Sequence, residues 1–456
     1  MATDCIQLAL GFQGGTARIV KVIREERDVS SDGGLLLLSE VERQRGFIDA
    51  FTRCFTDHRR GAWVTHPLRA LLAQRVYGLC QGYEDINDHD RWRNDPLLGL
   101  VCGQDEGAMP AGKSTLNRLE LGRGASSETD RYKRIEWDEG KIREFFVDAV
   151  LDSYAAAPDE IVIDFDATDD PIHGEQEGRF FHGFYDEYCY LPLYAFCGEQ
   201  LLAAVLRPAD QDAAAGVVEL FAFLHERIRS RWPHTRIIVR GDSGFCRDPL
   251  MAFCESHEST FYILGFARNQ RLVRAIGREL HEMAELYATT GHAVRTFREL
   301  SYRTRNSWSC TRRVVAKAEH LAKGSNPRFV VTNLDPATRP ARELYERLYC
   351  ARGEMENRIK EQQLYLFADR TSSHLFRTNQ LRLWLSSLAY LFLCEIRRIG
   401  LPGTDHDRAQ CSTIRLHLLK VAASLVVSSR RVLVRLPRSF PFWDLWCTVA
   451  VALSTA

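Results

Sequence analysis

Ile161-Val162-Ile163-Asp164-Phe165-Asp166 is a run of β-branched and aromatic residues that ends in an aspartate and contains a second one. Its length and composition are typical of a buried β-strand. Because successive side chains of a strand point to opposite faces, Asp164 and Asp166 are expected on the same face. The run therefore predicts a central strand that carries two carboxylates on one side of a sheet.

The segments that follow this strand predict alternating strands and helices. They are a hairpin turning at Gly198-Glu199, a helix at about 213–231, a strand over Arg236–Arg240, a helix near 249–256 and a strand over Phe261–Phe266. The order β, β-hairpin, α, β, α, β is that of the ribonuclease H-like fold, which retroviral integrases share. We therefore expect an α/β protein with a ribonuclease H-like core.

A β-rich segment interrupts this core, and helices surround it. Strand-like pieces at 293–297, 312–318 and 329–332 form the interruption, and a helix from about 339 to 364 resumes the core. The expected organisation has five parts: a mostly helical N-terminal region (1–154), the first part of the core (155–269), the β-rich insertion (270–335), the second part of the core (336–395) and a basic C-terminal region (396–456).

The net charge of the 456-residue chain is zero, but the charge is unevenly distributed. Residues 151–240 contain 7 Lys or Arg against 16 Asp or Glu, a net of −9, whereas residues 370–456 contain 12 against 4, a net of +8. An acidic centre with a basic tail is typical of a protein that holds metal ions centrally and binds phosphates peripherally. Ordinary surface variation between domains is the alternative.

Cysteine usage and hydropathy indicate a globular protein of a reducing compartment. The 13 cysteines include no Cys-x-x-Cys pair, so free thiols in the cytoplasm are expected. The longest apolar helix candidate, Leu383–Cys394, is too short to cross a bilayer. No signal peptide is expected, because no N-terminal basic stretch precedes an apolar run.

Three carboxylates are placed where a metal-dependent nuclease would need them. Asp166 ends the first strand, Asp242 ends the next parallel strand and Glu356 lies on the late helix. Two divalent ions about 4 Å apart require hard oxygen ligands that converge from separate elements. Taken singly, each aspartate could instead form a turn, and the glutamate could be a solvated surface residue.

The residues around Glu356 resemble a known family. Tyr349, Arg352 and Glu356 fit the Tyr-x2-Arg-x3-Glu signature of bacterial insertion-sequence DDE transposases, and the turn at Arg240-Gly241-Asp242 is also similar to theirs. The resemblance implies that Asp166, Asp242 and Glu356 are catalytic and bind two Mg²⁺ ions, with Mn²⁺ as a substitute. It further implies that Tyr349 and Arg352 contact DNA phosphates, as an Arg fork and a Tyr hydroxyl suit.

The same resemblance sets the expected reaction and partners. It implies cleavage at the terminal inverted repeats of an insertion sequence and transfer of the 3′-hydroxyl into target DNA. Double-stranded DNA is the expected partner, with a homodimer forming on it, no membrane association and a nucleoid-associated bacterial location. The helical region 1–154 is expected to bind DNA.

Two positions near the signature remain open. The full family signature has a lysine seven residues after the glutamate, where this chain has Gln363, and Lys360 is the candidate substitute. Asp164 is the alternative to Asp166, because both lie on one face of the strand. The family pattern Asp-x-Thr favours Asp166.

The insertion contains an aromatic residue among arginines. Trp308 lies between Arg303 and Arg305 on one side and Arg312 and Arg313 on the other. Phosphate contacts beside a stacking ring would suit a base pulled out of the duplex, and the resemblance implies such a role. The alternative is that Trp308 fills the small core of a β-sheet.

Other function classes compete for two of these segments. Asp164-Phe165-Asp166-Ala167-Thr168 also matches the first motif of haloacid-dehalogenase-like phosphatases, with Asp164 as nucleophile. Gly107–Ser114 matches the P-loop pattern, but no strand precedes it, and a capped helix at Ser114 is favoured. A DNA-binding relative of a transposase that lacks activity is the third alternative.

Overall fold

The computed structural model describes residues 10–12, 20–22, 28–103, 108–122 and 133–455. Two short strands, β1 (Leu10–Phe12) and β2 (Val20–Val22), pair with each other in antiparallel fashion. The helical N-terminal region then contains β3 (Val29–Ser30), α1 (Leu35–Arg45), α2 (Phe47–Thr52), β4 (Phe55–Asp57), a 3-10 turn (Gly61–Trp63), α3 (Leu68–Gln81), α4 (His89–Trp92), α5 (Pro96–Val101), α6 (Lys113–Leu121), β5 (Ile135–Trp137) and α7 (Glu139–Leu151).

The first part of the expected core contains the predicted strands and helices within a few residues of their predicted ends. Its elements are β6 (Glu160–Ala167), β7 (Asp170–Pro171), β8 (Phe180–His182), β9 (Glu187–Tyr190), β10 (Leu193–Cys197), β11 (Gln200–Val205), α8 (Val217–Arg231), β12 (Arg236–Gly241), a 3-10 turn (Ser243–Phe245), α9 (Asp248–Ser256) and β13 (Thr260–Phe266). Gly198 makes the tight turn between β10 and β11, where its φ of +60° favours glycine.

The insertion combines the three predicted strands with two helices that the sequence did not reveal. It contains α10 (Gln270–Ala275), α11 (Gly277–Thr290), β14 (Val294–Tyr302), β15 (Arg312–Leu321), β16 (Gly324–Ser325) and β17 (Arg328–Thr332). Its strands do not form a separate sheet. Strand β17 pairs with β13, so the insertion extends the central sheet.

Residues 341–365, which we call the late helical run, change between α-, π- and 3-10-helical conformation along their length. The run consists of α12 (Ala341–Glu343), a π-helical segment (Leu344–Tyr349), a 3-10 turn (Cys350–Arg352), α13 (Gly353–Lys360) and a second π-helical segment (Glu361–Tyr365). The C-terminal part contains α14 (Phe376–Glu395), a π-helical segment (Ile396–Gly400), α15 (Cys411–Ile414), another π-helical segment (Arg415–Leu419), β18 (Ala423–Ser428), β19 (Arg431–Arg435) and α16 (Trp443–Thr455).

The central sheet is mixed, and its strand order brings the candidate residues together. The strands follow the order β11-β10-β6-β12-β13-β17-β15-β14, with β16 paired to β15. Strands β6, β12 and β13 are parallel, and the other neighbours are antiparallel. The fold is therefore α/β with a mixed sheet.

The two faces of the sheet pack against different helices. Ile161, Ile163 and Phe165 of β6 pack with α8 and α9 on one face. Val162 of β6 packs on the opposite face with residues of the late helical run, including Leu344. Alternation along β6 places Asp164 and Asp166 on this second face. The late helical run is consequently the element that faces both aspartates.

A second large core joins the helical N-terminal region to the C-terminal part. Residues of α1 and α3 pack around the long helix α14, together with Leu418, Leu425 and Leu453 of the C-terminal part. Helix α14 is buried over most of its length, which explains its apolar sequence. No helix among the described residues is long and apolar enough to span a membrane. The cysteines of the described segments are free thiols, and Cys5 lies outside them.

Candidate active site

The sheet register brings Asp166 and Asp242 to the same level. Arg240 of β12 lies opposite Asp164 of β6, and Gly241 lies opposite Phe165. The next residues along β12 and β6 are Asp242 and Asp166, which therefore lie side by side at the carboxyl ends of the two parallel strands. In open α/β sheets this edge is where ligands bind.

Local hydrogen bonds hold both aspartates in place. The Asp242 Oδ1 atom accepts a 2.8 Å hydrogen bond from the Gly244 backbone N–H and caps the short 3-10 turn that follows β12. The Asp166 Oδ1 atom accepts a 3.0 Å hydrogen bond from the Ala167 backbone N–H. In both residues the Oδ2 atom is left for other partners.

Arg352 links the first strand to the late helical run. Its Nη1 lies 3.1 Å from Asp166 Oδ2, and its Nη2 lies 2.9 Å from Glu356 Oε1. Glu356 follows Arg352 by one helical turn on α13 and has 49% of its side chain exposed. The guanidinium thus bridges two of the three predicted carboxylates, so the structure brings together Asp166, Asp242, Arg352 and Glu356.

Asp166 is a largely buried carboxyl that lies between an arginine and two other carboxylates. The pKa of Asp166 is raised to about 6, chiefly by burial and in smaller part by the negative charges of Asp242 and Glu356. Arg352 acts in the opposite direction and lowers this pKa. A carboxyl whose ionised form is disfavoured by two neighbouring carboxylates gains stability from added positive charge.

The chemistry of this donor set is compatible with Mg²⁺ or Mn²⁺, which bind carboxylate oxygens. In the described part of the chain, no three His, Cys, Asp or Glu side chains lie close enough together to form a ready metal site. The cation that Asp166 and Glu356 hold in this arrangement is the Arg352 guanidinium. A metal ion would therefore compete with Arg352 for these oxygens.

Asp164 is a structural residue. It is 3% exposed, and its two carboxylate oxygens accept hydrogen bonds from Nε and Nη2 of Arg240, the latter at 2.7 Å. Arg240 also donates to the Leu348 carbonyl oxygen of the late helical run. With both oxygens engaged, Asp164 is not placed to act as a nucleophile, which disfavours the phosphatase interpretation.

Tyr349 lines an open cleft next to Asp242. The cleft has a volume of about 480 Å³, and its lining includes Asp242, Ser243, Gly265, Arg268, Arg328, Tyr349 and Arg352. Burial raises the pKa of the Tyr349 hydroxyl above its ordinary value. Arg268, Arg328 and Arg352 give the cleft cationic walls, so a phosphate could approach Asp242 through it.

Gly265 is a residue of this site that the sequence did not single out. A Cβ atom at this position would lie 2.5 Å from the Tyr349 hydroxyl oxygen and 2.9 Å from the Ser243 backbone nitrogen. Such distances are far below van der Waals contact. The glycine therefore allows Tyr349 and the Asp242 turn to pack against β13. The one sequence signal for this close approach is a glycine within a predicted strand.

Lys360 and Gln363, the two residues considered in place of the signature lysine, differ in their contacts. Lys360 is exposed and makes no salt bridge within the described residues. Gln363 points instead to β7, where its Nε2 donates 3.0 Å hydrogen bonds to the Asp169 carbonyl oxygen and to Asp170 Oδ1. Gln363 thus serves the packing of β7 against the helix.

Trp308 lies in the core, which was the alternative to the DNA-stacking role. Its side chain is 5% exposed, and its ring packs against Phe266 at 4.7 Å and Tyr302 at 5.9 Å. The expectation of an accessible ring is therefore wrong for this structure. The aromatic residues of β13 and β14 enclose the indole between the insertion and the core.

Arg312 and Arg313, expected to contact DNA, are held by ion pairs. Arg312 is buried between Asp248 and Glu255 of α9. Arg313 pairs with Glu299 and donates to the Leu334 carbonyl oxygen. Because their donors are engaged within the protein, these two arginines stabilise the insertion and do not present free guanidinium groups.

The P-loop pattern has no P-loop structure around it. Gly107 lies outside the described residues, and Lys113 begins α6 with Gly112 as its N-cap, so the cap is not Ser114. Asp90 engages Lys113, accepting from its backbone N–H at 2.8 Å and pairing with its ammonium at 3.6 Å. The nearest described element before this segment is helix α5, whereas a P-loop follows a strand.

Comparisons with known proteins identify the family. No curated protein matches the sequence. Among solved structures, a chain of the piggyBac transposase synaptic complex with hairpin DNA is similar, with 11% identity and a TM-score of 0.41 over 86% of this chain and 81% of that chain. The family described as transposase DDE domain group 1 matches residues 12–456. This match spans nearly the whole sequence, and the protein therefore belongs to the DDE transposase family.

Proposed function

We propose that this transposase cleaves DNA at the ends of a mobile element and joins the released 3′-hydroxyl to target DNA, with Asp166, Asp242 and Glu356 as its catalytic carboxylates. The observation that carries the proposal is that Asp242 lies beside Asp166 at the ends of two parallel strands, while Arg352 of the late helical run joins Asp166 to Glu356. The raised pKa of Asp166, to about 6, supports a site built for added positive charge.

The strand order supports a ribonuclease H-like core for this chemistry. Strands β11, β10 and β6 form an antiparallel succession, and β12 and β13 continue from β6 in parallel. Helices α8 and α9 connect β11 to β12 and β12 to β13. The proposed core consists of residues 155–269 and 336–395, and the insertion joins its sheet through β17.

Asp166, Asp242 and Glu356 would hold two Mg²⁺ ions, with Mn²⁺ as a substitute. Bound divalent ions at such sites activate a nucleophilic oxygen and stabilise the leaving oxygen of phosphodiester cleavage. The protein's own contribution is to hold the carboxylates by the sheet register and the Asp242 turn. Arg352 neutralises Asp166 and Glu356 before DNA arrives and is then available to a phosphate.

The cationic cleft suggests how the DNA strand is held. Tyr349 and Arg352 would contact phosphates beside the cleavage position, since a guanidinium forms two parallel hydrogen bonds with a phosphate and a phenol forms one. Lys360, one turn beyond Glu356 and exposed, would contact the backbone further along. The partners proposed are the terminal inverted repeats and target DNA, with a homodimer assembling on them.

A cleavage assay with the native ends tests this function. The substrate is linear DNA that carries the two sequences flanking the gene, with a label at the 3′ or the 5′ end of one strand. It is incubated with Mg²⁺, Mn²⁺ or EDTA. We expect nicks at the element boundary and joined products with either metal, and none with EDTA. Binding of these ends without cleavage in either metal would favour the inactive DNA-binding relative instead.

A further inference from the structure

A two-stranded ribbon projects from the C-terminal part of the chain. Strands β18 and β19 pair from Ser424↔Arg435 to Ser428↔Arg431, with Ser429 and Arg430 in the turn. At its base, Ala423 pairs with Ser30 of β3, and the Leu425 N–H donates to the Asp28 carbonyl oxygen at 3.0 Å. We call residues Ala423–Arg435 the basic hairpin.

The two faces of the basic hairpin differ. Leu425 and Val434 form a cross-strand pair that packs onto the helical core. The opposite face carries the pairs Ser424–Arg435, Val426–Leu433 and Ser428–Arg431, which alternate with the first. Val426 is 47% exposed and Leu433 is 39% exposed, so an apolar pair lies in solvent between two arginines.

Charge in this part of the sequence has one sign. Residues 408–443 contain no Asp or Glu and seven basic residues, namely Arg408, Arg415, Lys420, Arg430, Arg431, Arg435 and Arg438. Arg415 and Lys420 are engaged, the former by backbone carbonyls and the latter by Asp32. The positive charge of the hairpin itself is therefore not neutralised by acidic neighbours in sequence.

The three arginines of the basic hairpin, and Arg438 three residues beyond it, also lack partners in space. Within the described residues, Arg430, Arg431, Arg435 and Arg438 form no side-chain hydrogen bond or salt bridge. Arg240, Arg312 and Arg352, by contrast, are each held by carboxylates of the fold. Since the whole chain has zero net charge, this concentration of free guanidinium groups is a local property.

We propose that the basic hairpin is a second DNA-binding surface, separate from the active site, which binds the phosphate backbone of duplex DNA. A two-stranded β-ribbon fits the major groove, and guanidinium forks match phosphate oxygens. Ser424 adds a hydroxyl group to this face, and the exposed Val426–Leu433 pair can cover a deoxyribose. The inference rests on the proposed action on DNA and adds a contact that depends on charge and not on base sequence.

A second copy of the chain is a poorer occupant of the same face. In a two-fold symmetric contact the same patch meets itself, which would place Arg431 and Arg435 near their symmetry mates. Like charges brought together without an intervening anion destabilise a contact. A polyanion meets the face without this cost, and duplex DNA is the polyanion that the family acts on.

The test removes the two arginines of the exposed face. Arg431→Ala with Arg435→Ala is compared with Arg431→Lys with Arg435→Lys, which keeps the charge. Arg143→Ala with Arg278→Ala serves as the matched control, because these exposed arginines are paired with Glu139 and Glu282. Binding to an arbitrary 40-base-pair duplex in EDTA is measured from low to high salt, together with thermal unfolding and the mass in solution.

Loss of two phosphate contacts should flatten the slope of log binding constant against log salt by about 1.8 and weaken binding by about an order of magnitude at physiological salt. The lysine pair and the control pair should keep the wild-type slope, and unfolding should be unchanged in all. An unchanged slope in the alanine pair overturns the proposal, as does a change in the mass in solution without a change in slope.

The proposed cleavage function is separated from this inference by a second measurement. At low salt and saturating protein, the alanine pair should still cleave the native ends, because the hairpin contains none of the candidate catalytic residues. Cleavage with an unchanged salt slope would contradict the hairpin proposal alone. If the alanine pair has a flatter slope than wild type but the wild-type protein never cleaves the native ends, the catalytic proposal alone is contradicted.

Discussion

Arg240 of β12 lies directly opposite Asp164 of β6 and donates to both of its carboxylate oxygens. The pair is buried beneath the late helical run, where Arg240 also reaches the Leu348 carbonyl oxygen. This contact separates two aspartates that the sequence pattern could not tell apart. Asp164 fastens β6 to β12, and Asp166, two residues further along the strand, faces the open site.

The first prediction concerns this buried pair. Asp164→Asn should lower the free energy of unfolding by about 3–5 kcal/mol, because it leaves the Arg240 charge buried without a counterion. Asp166→Asn is the control on the same face and should be about as stable as wild type, because loss of its ion pair with Arg352 is offset by relief from burying a carboxylate. Urea denaturation of the two variants measures the difference. An Asp164→Asn protein of wild-type stability would contradict the structural role.

The second prediction concerns Gly265. Gly265→Ala should push Tyr349 and the Asp242 turn apart, at a cost of about 1–3 kcal/mol in stability. Cleavage should fall by about 10- to 100-fold, because small displacements of reacting groups are costly. Gly277→Ala is the matched control, since nothing lies within 4 Å of a Cβ there. Equal cleavage rates in the two variants would show that the close approach at Gly265 is not needed.

The third prediction concerns Trp308. Trp308→Ala should cost about 3–5 kcal/mol and reduce soluble protein, because the indole fills a core between Phe266 and Tyr302. Thermal unfolding and the yield of soluble protein measure this, with Trp308→Phe as the milder replacement. A stable Trp308→Ala protein that nicks DNA but fails in later steps would restore the DNA-stacking role.

The fourth prediction concerns the buried Asp170, which Gln363 holds. Burial raises the pKa of Asp170 to about 8, so the folded protein keeps a proton that the unfolded chain loses near pH 4. The unfolded state binds fewer protons between these values, and stability should therefore fall by up to about 1.4 kcal/mol per pH unit from pH 4 to pH 8. Asp170→Asn should remove this contribution.

Urea denaturation from pH 5 to pH 8 measures this effect of Asp170. Its Oδ2 atom is buried without a hydrogen-bond partner among the described residues, so a neutral side chain should be at least as stable at pH 8. Other titrating groups contribute equally to both proteins, and the difference between their slopes isolates Asp170. Parallel slopes in wild type and Asp170→Asn would contradict a protonated Asp170.

Local sequence patterns were sufficient to predict the main strands and helices of the first part of the expected core and to select the candidate site residues. The β-branched run at Ile161–Phe165, the turn after Gly241 and the spacing of Tyr349, Arg352 and Glu356 are signals within a few residues. They predicted where β6 and β12 end and which side of β6 carries aspartates. Parallel pairing of two such strands was enough to expect Asp166 and Asp242 together.

Relationships between distant residues could not be predicted in the same way. The partner of Asp164 depends on the β6–β12 register, and the space at Gly265 depends on Tyr349, which is 84 residues away in the chain. The burial of Trp308 depends on β17 joining β13, which no local pattern indicates. The pairing of Gln363 with Asp170 similarly required the position of the late helical run on the sheet.

The most direct test of the account compares Asp166→Asn, Asp242→Asn and Glu356→Gln with Glu354→Gln on the native-end substrate. Glu354 is the matched control, because it lies on the same helix and pairs with Arg358 instead of Arg352. Each of the three site variants should bind the ends but cleave them about a thousandfold more slowly or worse, as loss of a central catalytic group does. Glu354→Gln should cleave at the wild-type rate. Wild-type cleavage by Glu356→Gln would contradict the three-carboxylate site.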